Sequence, residues 1–156
     1  MTWNANVTFS DNTPLGGYVG LQIDNTGAFT FSGHMHDSGF DGINFSIAVA
    51  IVGPSGNVYG FGTQGYSAGT ISSGSRDYNW LGTPTSSFKD QNGNSLPNPN
   101  PYMATNWGDI VQGTLTWKIT AQDLTAQGFV TFVTQTIEAI ISDLAKRGAT
   151  ALIALL

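Results

Sequence analysis

The chain has 156 residues, of which 12% are aromatic and only 10% are charged, and its net charge is −5. This length suits one domain that buries its own core, so we expect a single domain over residues 1–156. The shortage of Lys and Arg excludes a basic surface that could bind phosphate groups, and therefore excludes nucleic acid as a partner. The lack of cysteine excludes disulfides, thiolate catalysis and Cys-zinc sites.

Alternating apolar and polar residues predict three strands in the first part of the chain, at 3–9, 18–23 and 28–36. The segment 24–27, with the sequence Asp-Asn-Thr-Gly, predicts a tight hairpin turn between the second and third strands. In the third strand, His34 and His36 fall on the face opposite Phe31 and Met35.

The clearest pattern in the sequence is a β-hairpin that begins at Ile43. Apolar residues alternate with small ones up to Ile51, and we expect Ile47 and Val49 at the centre of the core. The small residues on the other face predict that this face is covered too. Turn residues at 53–57 lead into a return strand that begins at Val58.

The rest of the β-structure is predicted with shorter elements. Strands are expected at 66–71, 76–81 and 115–119, and the Pro- and Asn-rich segment 82–102 is expected to be a long surface loop. These elements together predict a mainly β fold, an antiparallel β-sandwich of seven to nine strands with one C-terminal α-helix.

The C-terminal part of the chain has a different pattern. Apolar residues at three- and four-residue spacing predict an amphipathic helix over about 123–147, followed by an almost wholly apolar tail at 149–156. Such a tail is a liability in water, so it packs either on its own domain or on a second copy of the chain. We expect a homo-oligomer that uses the segment from Phe129 to Leu156.

The sequence also bears on membranes and on location. No stretch approaches 18 consecutive apolar residues, so no transmembrane helix is expected. The first residues lack a basic region followed by an apolar one, so no signal peptide is expected in the sequence as given. This leaves a cytoplasmic location or export without a classical leader.

Two histidines and two aspartates near the end of the third strand suggest a site. His34 and His36 point to one side of a strand, as at the start of many zinc sites, and Asp37 and Asp41 follow. A zinc site needs further ligands, and the chain has no other His or Cys. The segment 37–42 lacks the distal Glu of an EF-type calcium loop. We therefore predict a hydrogen-bonded pair with no metal and no cofactor.

A polar cluster and nearby aromatic residues complete the candidate site. We expect His36, Asp37, Arg76 and Asp77 to converge, since a buried Arg in so uncharged a chain needs a carboxylate partner. The cluster has either a structural role or a role in ligand recognition. Aromatic rings beside Asn, Asp and Ser suit sugar binding, although most such rings belong to cores. The ligand-binding candidates are His34, His36, Asp37, Asp41, Arg76, Asp77, Tyr78 and Trp80.

These observations favour a non-enzymatic recognition or assembly module with a glycan or another small polar ligand, similar in role to a lectin. The first alternative is a structural subunit of a multimeric assembly, and the second is a membrane-interacting, toxin-like protein. An enzyme is less favoured, because no serine lies in a nucleophile elbow and no metal motif is complete. The packing of residues 129–156 distinguishes a monomeric binder from an assembly subunit.

Overall fold

The computed structural model describes residues 1–9, 12–81, 96, 98–121, 135, 138, 139 and 142. The protein is mainly β, with two antiparallel sheets and two short helices in this part of the chain. The mainly antiparallel β fold predicted from the sequence is confirmed. The elements are β1 Thr2–Val7, β2 Leu15–Ile23, β3 Phe29–Asp37, β4 Ile43–Val52, β5 Val58–Ser67, β6 Asp77–Trp80, α1 Asn100–Thr105, α2 Trp107–Val111 and β7 Thr114–Thr120.

The strands form a four-stranded sheet in the order β1-β2-β3-β6 and a three-stranded sheet in the order β5-β4-β7. Tight turns make the two central hairpins. In the β2–β3 turn, the carboxylate of Asp24 accepts a hydrogen bond from the Thr26 amide, and Gly27 has a φ of +77°. Gly56 has a φ of +85° in the β4–β5 turn. Glycine adopts this left-handed region without the steric cost that a side chain imposes.

The two sheets bury their apolar residues in one hydrophobic core. Ile47 and Val49 are 0% and 1% exposed, which confirms the prediction that they lie at its centre. Phe29 from the four-stranded sheet meets Phe61 from the three-stranded sheet edge to face, with ring centroids 5.0 Å apart. An edge-to-face arrangement is the one that aromatic quadrupoles favour.

Both faces of β4 are buried. Its core-facing residues alternate with Ser46, Ala48 and Ala50, which are at most 3% exposed. The prediction that the face with the small residues is also covered is therefore confirmed. This explains why β4 has so few polar residues along its length: a strand buried on both faces has little water to contact.

The segment before β7 differs from the predicted loop. The segment 82–102 was expected to be a loop, but helix α1 begins within it at Asn100. Helix α2 follows α1 directly. Prolines at positions 99 and 101 fit the first turn of α1, where the backbone N–H groups have no partner within the helix. Met103 and Ile110 are fully buried in the shared core, so the two helices close one end of it.

Several strands have bounds other than those predicted, and three of the differences bear on the fold. β5 continues to Ser67, which pairs with Ile43, so there is no separate strand at 66–71 in the described structure, and Ile71 is 73% exposed. β1 ends at Val7, and β2 begins at Leu15, where it pairs with Asp37. These strand ends are set by pairing with a neighbouring strand. The alternation of apolar and polar residues along one strand carries no information about that pairing.

Most of the predicted C-terminal helix, 123–147, and all of the tail 149–156 lie outside the described residues. Four positions in that helix are described, namely Gln135, Glu138, Ala139 and Ser142, and all four are helical and exposed. Glu138 and Ser142 belong to the side predicted to be polar. Among the helices that the structure describes, none has the length and apolar character required to cross a membrane.

Candidate functional site

The alternation along β3 separates a buried face from an exposed polar face. Phe29, Phe31 and Met35 point into the core, whereas His34 and His36 lie on the opposite side of the sheet. The predicted division of this strand is therefore confirmed. Because the four-stranded sheet packs on the core with its other side, the histidines face solvent, with 27% and 45% of their side chains exposed.

Strand β6 adds a carboxylate and an amide beside the two histidines. His34 pairs with Asn79 and His36 pairs with Asp77 in the antiparallel register. The Nδ1 atom of His36 lies 2.8 Å from Oδ1 of Asp77, and Nδ1 of His34 lies 2.9 Å from Oδ1 of Asn79. The Nε2 atom of His34 is 3.5 Å from the same oxygen of Asp77. Asp77 thus pairs with His36 and lies close to His34, whose own hydrogen-bond partner is Asn79.

An exposed tyrosine stands next to these polar groups. Tyr18 pairs with His34 in the register of β2 and β3, and the two rings stack with centroids 5.7 Å apart and planes at 29°. Tyr18 is 55% exposed, so this residue remains accessible to a ligand although His34 stacks on its ring. The outer polar face, as we call it here, consists of Tyr18, Ser32, His34, His36, Asp77 and Asn79.

Tyr18 and Asn79 were not among the candidates from the sequence, yet both carried a signal. In β2, Val19, Leu21 and Ile23 are apolar and define the core face, which places Tyr18 on the solvent face by period two. Asn79 is two residues after Asp77 and shares its face for the same reason. The missing information was the pairing that brings β2 and β6 to either side of β3.

The predicted convergence of His36, Asp37, Arg76 and Asp77 occurs only in part. His36 and Asp77 meet, but the Asp37 side chain points to the other face and is fully buried. Its Oδ1 accepts a hydrogen bond of 2.6 Å from the Gly39 amide. Arg76 donates from Nε to the backbone carbonyl of Asp37 at 2.8 Å, and no carboxylate partner for it appears among the described residues. The expected Arg–carboxylate pair is therefore replaced by a backbone contact that holds the end of β3.

The remaining candidates lie away from the outer polar face. Tyr78 and Trp80 alternate with Asp77 and Asn79, so they point toward the core, where both contact Phe45. Tyr78 also donates a hydrogen bond from its hydroxyl to the carbonyl of Gln64. Asp41 lies on the exposed loop between β3 and β4. The two aromatic residues therefore have structural positions, as most aromatic residues do.

A shallow, open cleft of about 370 Å³ adjoins the outer polar face at His36. Its walls come from residues that follow β1, from the start of β2 and the residues just before it, and from the end of β3. The lining residues are Thr8, Phe9, Thr13, Pro14, Leu15, Gly16, His36 and Ser38. His36 thus belongs both to the cleft and to the group that contains Asp77.

A second polar cluster lies at the other end of the domain and has a structural role. The Asp109 carboxylate accepts hydrogen bonds from the amide and hydroxyl of Ser55, at 2.8 and 2.7 Å. Burial raises the pKa of Asp109, but the hydrogen bonds from Ser55, Tyr59 and Asn57 outweigh it and hold that pKa below its ordinary value of 3.8. Burial, together with the nearby Asp109, raises the pKa of Tyr59 far above its usual range.

The outer polar face offers hydrogen-bonding groups in fixed positions. A neutral His36 that donates from Nδ1 to Asp77 keeps Nε2 available as an acceptor, and Asp77 keeps further acceptor sites. In the part of the chain that the structure describes, no three His, Asp or Glu side chains are placed to hold a metal ion. Such an arrangement can bind hydroxyl groups beside an aromatic ring.

Comparison with known proteins identifies no relative for this chain. No protein-family model, no curated protein and no solved structure matches it significantly.

Proposed function

We propose that this protein is a non-enzymatic carbohydrate-binding module and that the outer polar face is its sugar site. The observation that carries the proposal is the exposed ring of Tyr18, stacked on His34 beside Asp77 and Asn79. Sugars need this combination, because one side of a pyranose ring is apolar and its edge carries hydroxyl groups.

His34 already covers one face of the Tyr18 ring, so we place the sugar ring across the exposed part of Tyr18 that His34 leaves open, with its hydroxyl groups directed toward β3 and β6. There, Nε2 of His36 and the carboxylate of Asp77 accept hydrogen bonds, and the amide of Asn79 donates one. The contacts among these side chains hold them in position before the ligand arrives. A ligand then loses less free energy to the ordering of side chains, which favours binding.

The described carboxylates favour binding over hydrolysis. Glycoside hydrolysis ordinarily uses two carboxyl groups on either side of the scissile bond. On the outer polar face, Asp77 is the one carboxylate that the structure describes, and two histidines already contact it. This supports recognition without chemistry.

We also propose that the two sheets form a β-sandwich and that the predicted C-terminal helix covers the outer side of the three-stranded sheet. The contact between Phe29 and Phe61 supports the first part. The burial of Ser46, Ala48 and Ala50 supports the second, because this flat, small-residue surface suits a helix with an apolar side. In such a fold, the opposite sheet keeps its outer face free for a ligand.

A glycan array followed by calorimetry with the best-bound glycan tests the function. Tyr18→Ala should abolish binding, Tyr18→Phe should retain most of it, and Asp77→Ala should weaken it strongly. Tyr66→Ala is the matched control, because Tyr66 is also an exposed tyrosine on a strand, at 41%, but belongs to the other sheet.

A module that binds no glycan on the array would contradict the proposal, as would a Tyr18→Ala variant that binds as well as the unaltered protein. Light scattering on the same samples then assesses the alternative function. A large, uniform oligomer without glycan binding would favour a structural subunit of an assembly.

A further inference from the structure

The cleft beside the outer polar face has the chemistry of a second sugar subsite. Phe9, Pro14 and Leu15 provide apolar surface, and Thr8, Thr13 and Ser38 provide hydroxyl groups. Phe9 is half-buried, with part of its ring packed on the core and part lining the cleft. Ser38 is oriented by a 3.1 Å hydrogen bond from its Oγ to the carbonyl of Pro14.

The passage between Tyr18 and the cleft is open because of a glycine. Gly16 lies two residues before Tyr18 on the same side of β2, and it pairs with His36 across the sheet. It presents no side chain at the junction. A Cβ atom built at Gly16 has its nearest neighbour, the carbonyl oxygen of Val7, at an ordinary contact distance of 3.4 Å.

In the other direction along β2, the equivalent space is filled. Gly20 also lies two residues from Tyr18, but a Cβ atom at Gly20 would be only 2.6 Å from Oδ1 of Asn4. The Asn4 side chain therefore lies over Gly20. A ligand that extends beyond Tyr18 along the strand has room toward Gly16 and the cleft, and not toward Gly20.

The dimensions fit a chain of rings. Two residues of extended strand separate Tyr18 from Gly16 by about 7 Å, and the cleft starts at Gly16. A volume of about 370 Å³ is at the small end of ligand-binding sites, so the cleft suits one ring better than a large ligand.

From these features we infer that the ligand is a linear oligosaccharide with at least two rings, one stacked on Tyr18 and the next in the cleft against Phe9. His36 lies at the junction and contacts both rings. The inference rests on the proposed function and adds to it the class of ligand and the direction in which the ligand lies.

The test uses the best-bound glycan of the array and its monosaccharide, disaccharide and trisaccharide fragments. Binding is followed by NMR chemical shifts of the assigned amides and by titration. The monosaccharide should shift the amides around Tyr18 and His34. The longer fragments should bind about tenfold more tightly and should also shift the amides around Phe9 and Leu15.

Two variants separate the subsites. Gly16→Val places a side chain at the junction, and its Cβ atom meets the backbone only at an ordinary contact distance, so it should remove the gain from length while the monosaccharide still binds. Phe9→Ala should have the same effect, and its folding is checked by circular dichroism because Phe9 also packs on the core. Gln22→Ala is the control, since Gln22 lies on the same side of β2 beyond Gly20.

The outcomes distinguish the two proposals. An affinity that does not rise with length, or shifts that stay around Tyr18 for every fragment, would overturn the second subsite and leave the sugar site itself intact. An unchanged length dependence in Gly16→Val would overturn it too. If no fragment bound at all, both the sugar site and the subsite would be wrong.

Discussion

The hydroxyl group of Tyr59 donates a hydrogen bond of 2.8 Å to Oδ2 of Asp109, and this bond joins strand β5 to helix α2. Tyr59 is fully buried, so its hydroxyl has no contact with water. The same carboxylate binds the amide and the hydroxyl of Ser55 in the β4–β5 turn. Asp109 therefore holds the turn, the strand and the helix together.

Replacement of Asp109 by Ala should lower the free energy of unfolding by about 1–3 kcal/mol, because it leaves the buried hydroxyl of Tyr59 without an acceptor. Denaturant titration measures this change. The control is Asp41→Ala, which removes an exposed carboxylate from a loop and should have almost no effect. In a Tyr59→Phe background the cost should shrink, and an undiminished cost would mean that the contact with Tyr59 contributes nothing.

The lowered pKa of Asp109 predicts a dependence of stability on pH. Since the pKa is lower in the folded state than in the unfolded state, the stabilisation is fully present above the ordinary value of 3.8 and is lost as the pH falls through the folded pKa. Asp109→Asn should therefore lose less stability than the unaltered protein when the pH falls from above 3.8 through the lowered pKa of the folded state. Parallel curves for the two proteins in thermal melts at each pH would contradict this.

Gly27 and Gly56 are both turn glycines with positive φ, so the same substitution at the two positions can be compared directly. Gly56→Ala should cost about 1–2 kcal/mol for the left-handed backbone alone, since nothing lies within 4 Å of the added Cβ atom. Gly27→Ala carries the same backbone cost, and its Cβ atom would also collide with the carbonyl oxygen of Asn100 at the start of α1. Gly27→Ala should therefore have the lower melting temperature, and equal melting temperatures would mean that α1 is free to move away from the turn.

Truncation of a buried side chain in strand β4 tests how closely the core is packed. Ile47→Ala should lower the free energy of unfolding by about 2–4 kcal/mol, because the side chain is fully buried and its loss leaves a cavity. Ile71→Ala is the control, since Ile71 is 73% exposed. A change below about half a kcal/mol for Ile47→Ala would be incompatible with a close-packed core at this position.

Deletion of residues 149–156 tests the predicted oligomer. If this apolar tail packs on a second copy of the chain, the deletion should lower the molar mass in light scattering and leave the β-type circular dichroism unchanged. If the tail packs on its own domain, the mass should stay the same and the melting temperature should fall. The second result would remove the main argument for assembly through the segment from Phe129 to Leu156.

The sequence predicted those features that depend on alternation along one strand. Period two placed His34 and His36 on one face, Phe31 and Met35 on the other, and Ile47 in the core. It did not give the pairing between strands, because pairing depends on residues far apart in the chain. For that reason Tyr18 was overlooked. Tyr78 and Trp80 were assigned to the site although their alternation with Asp77 along one strand already placed them on the opposite face, toward the core.

Neither the short helices nor the partner of Arg76 could be predicted from residue patterns along the chain. Helices α1 and α2 have six and five residues, too few for a periodic pattern, and the prolines around Asn100 suggested a loop. Charge scarcity suggested a carboxylate partner for Arg76. The structure instead uses a backbone carbonyl, a group that every residue carries and that no composition argument can single out.

Strand β6 is only four residues long and lies at the edge of its sheet, yet it carries Asp77 and Asn79. A short edge strand opens more readily than the strands inside a sheet, and when β6 detaches, the histidines lose both of their partners. If the outer polar face binds a ligand as proposed, its occupancy and the attachment of β6 are thermodynamically linked: a ligand that contacts Asp77 should slow hydrogen exchange of the β6 amides, and the more so the higher its affinity. The exchange rates of the β6 amides can then be used to detect binding, even of a ligand whose identity is unknown.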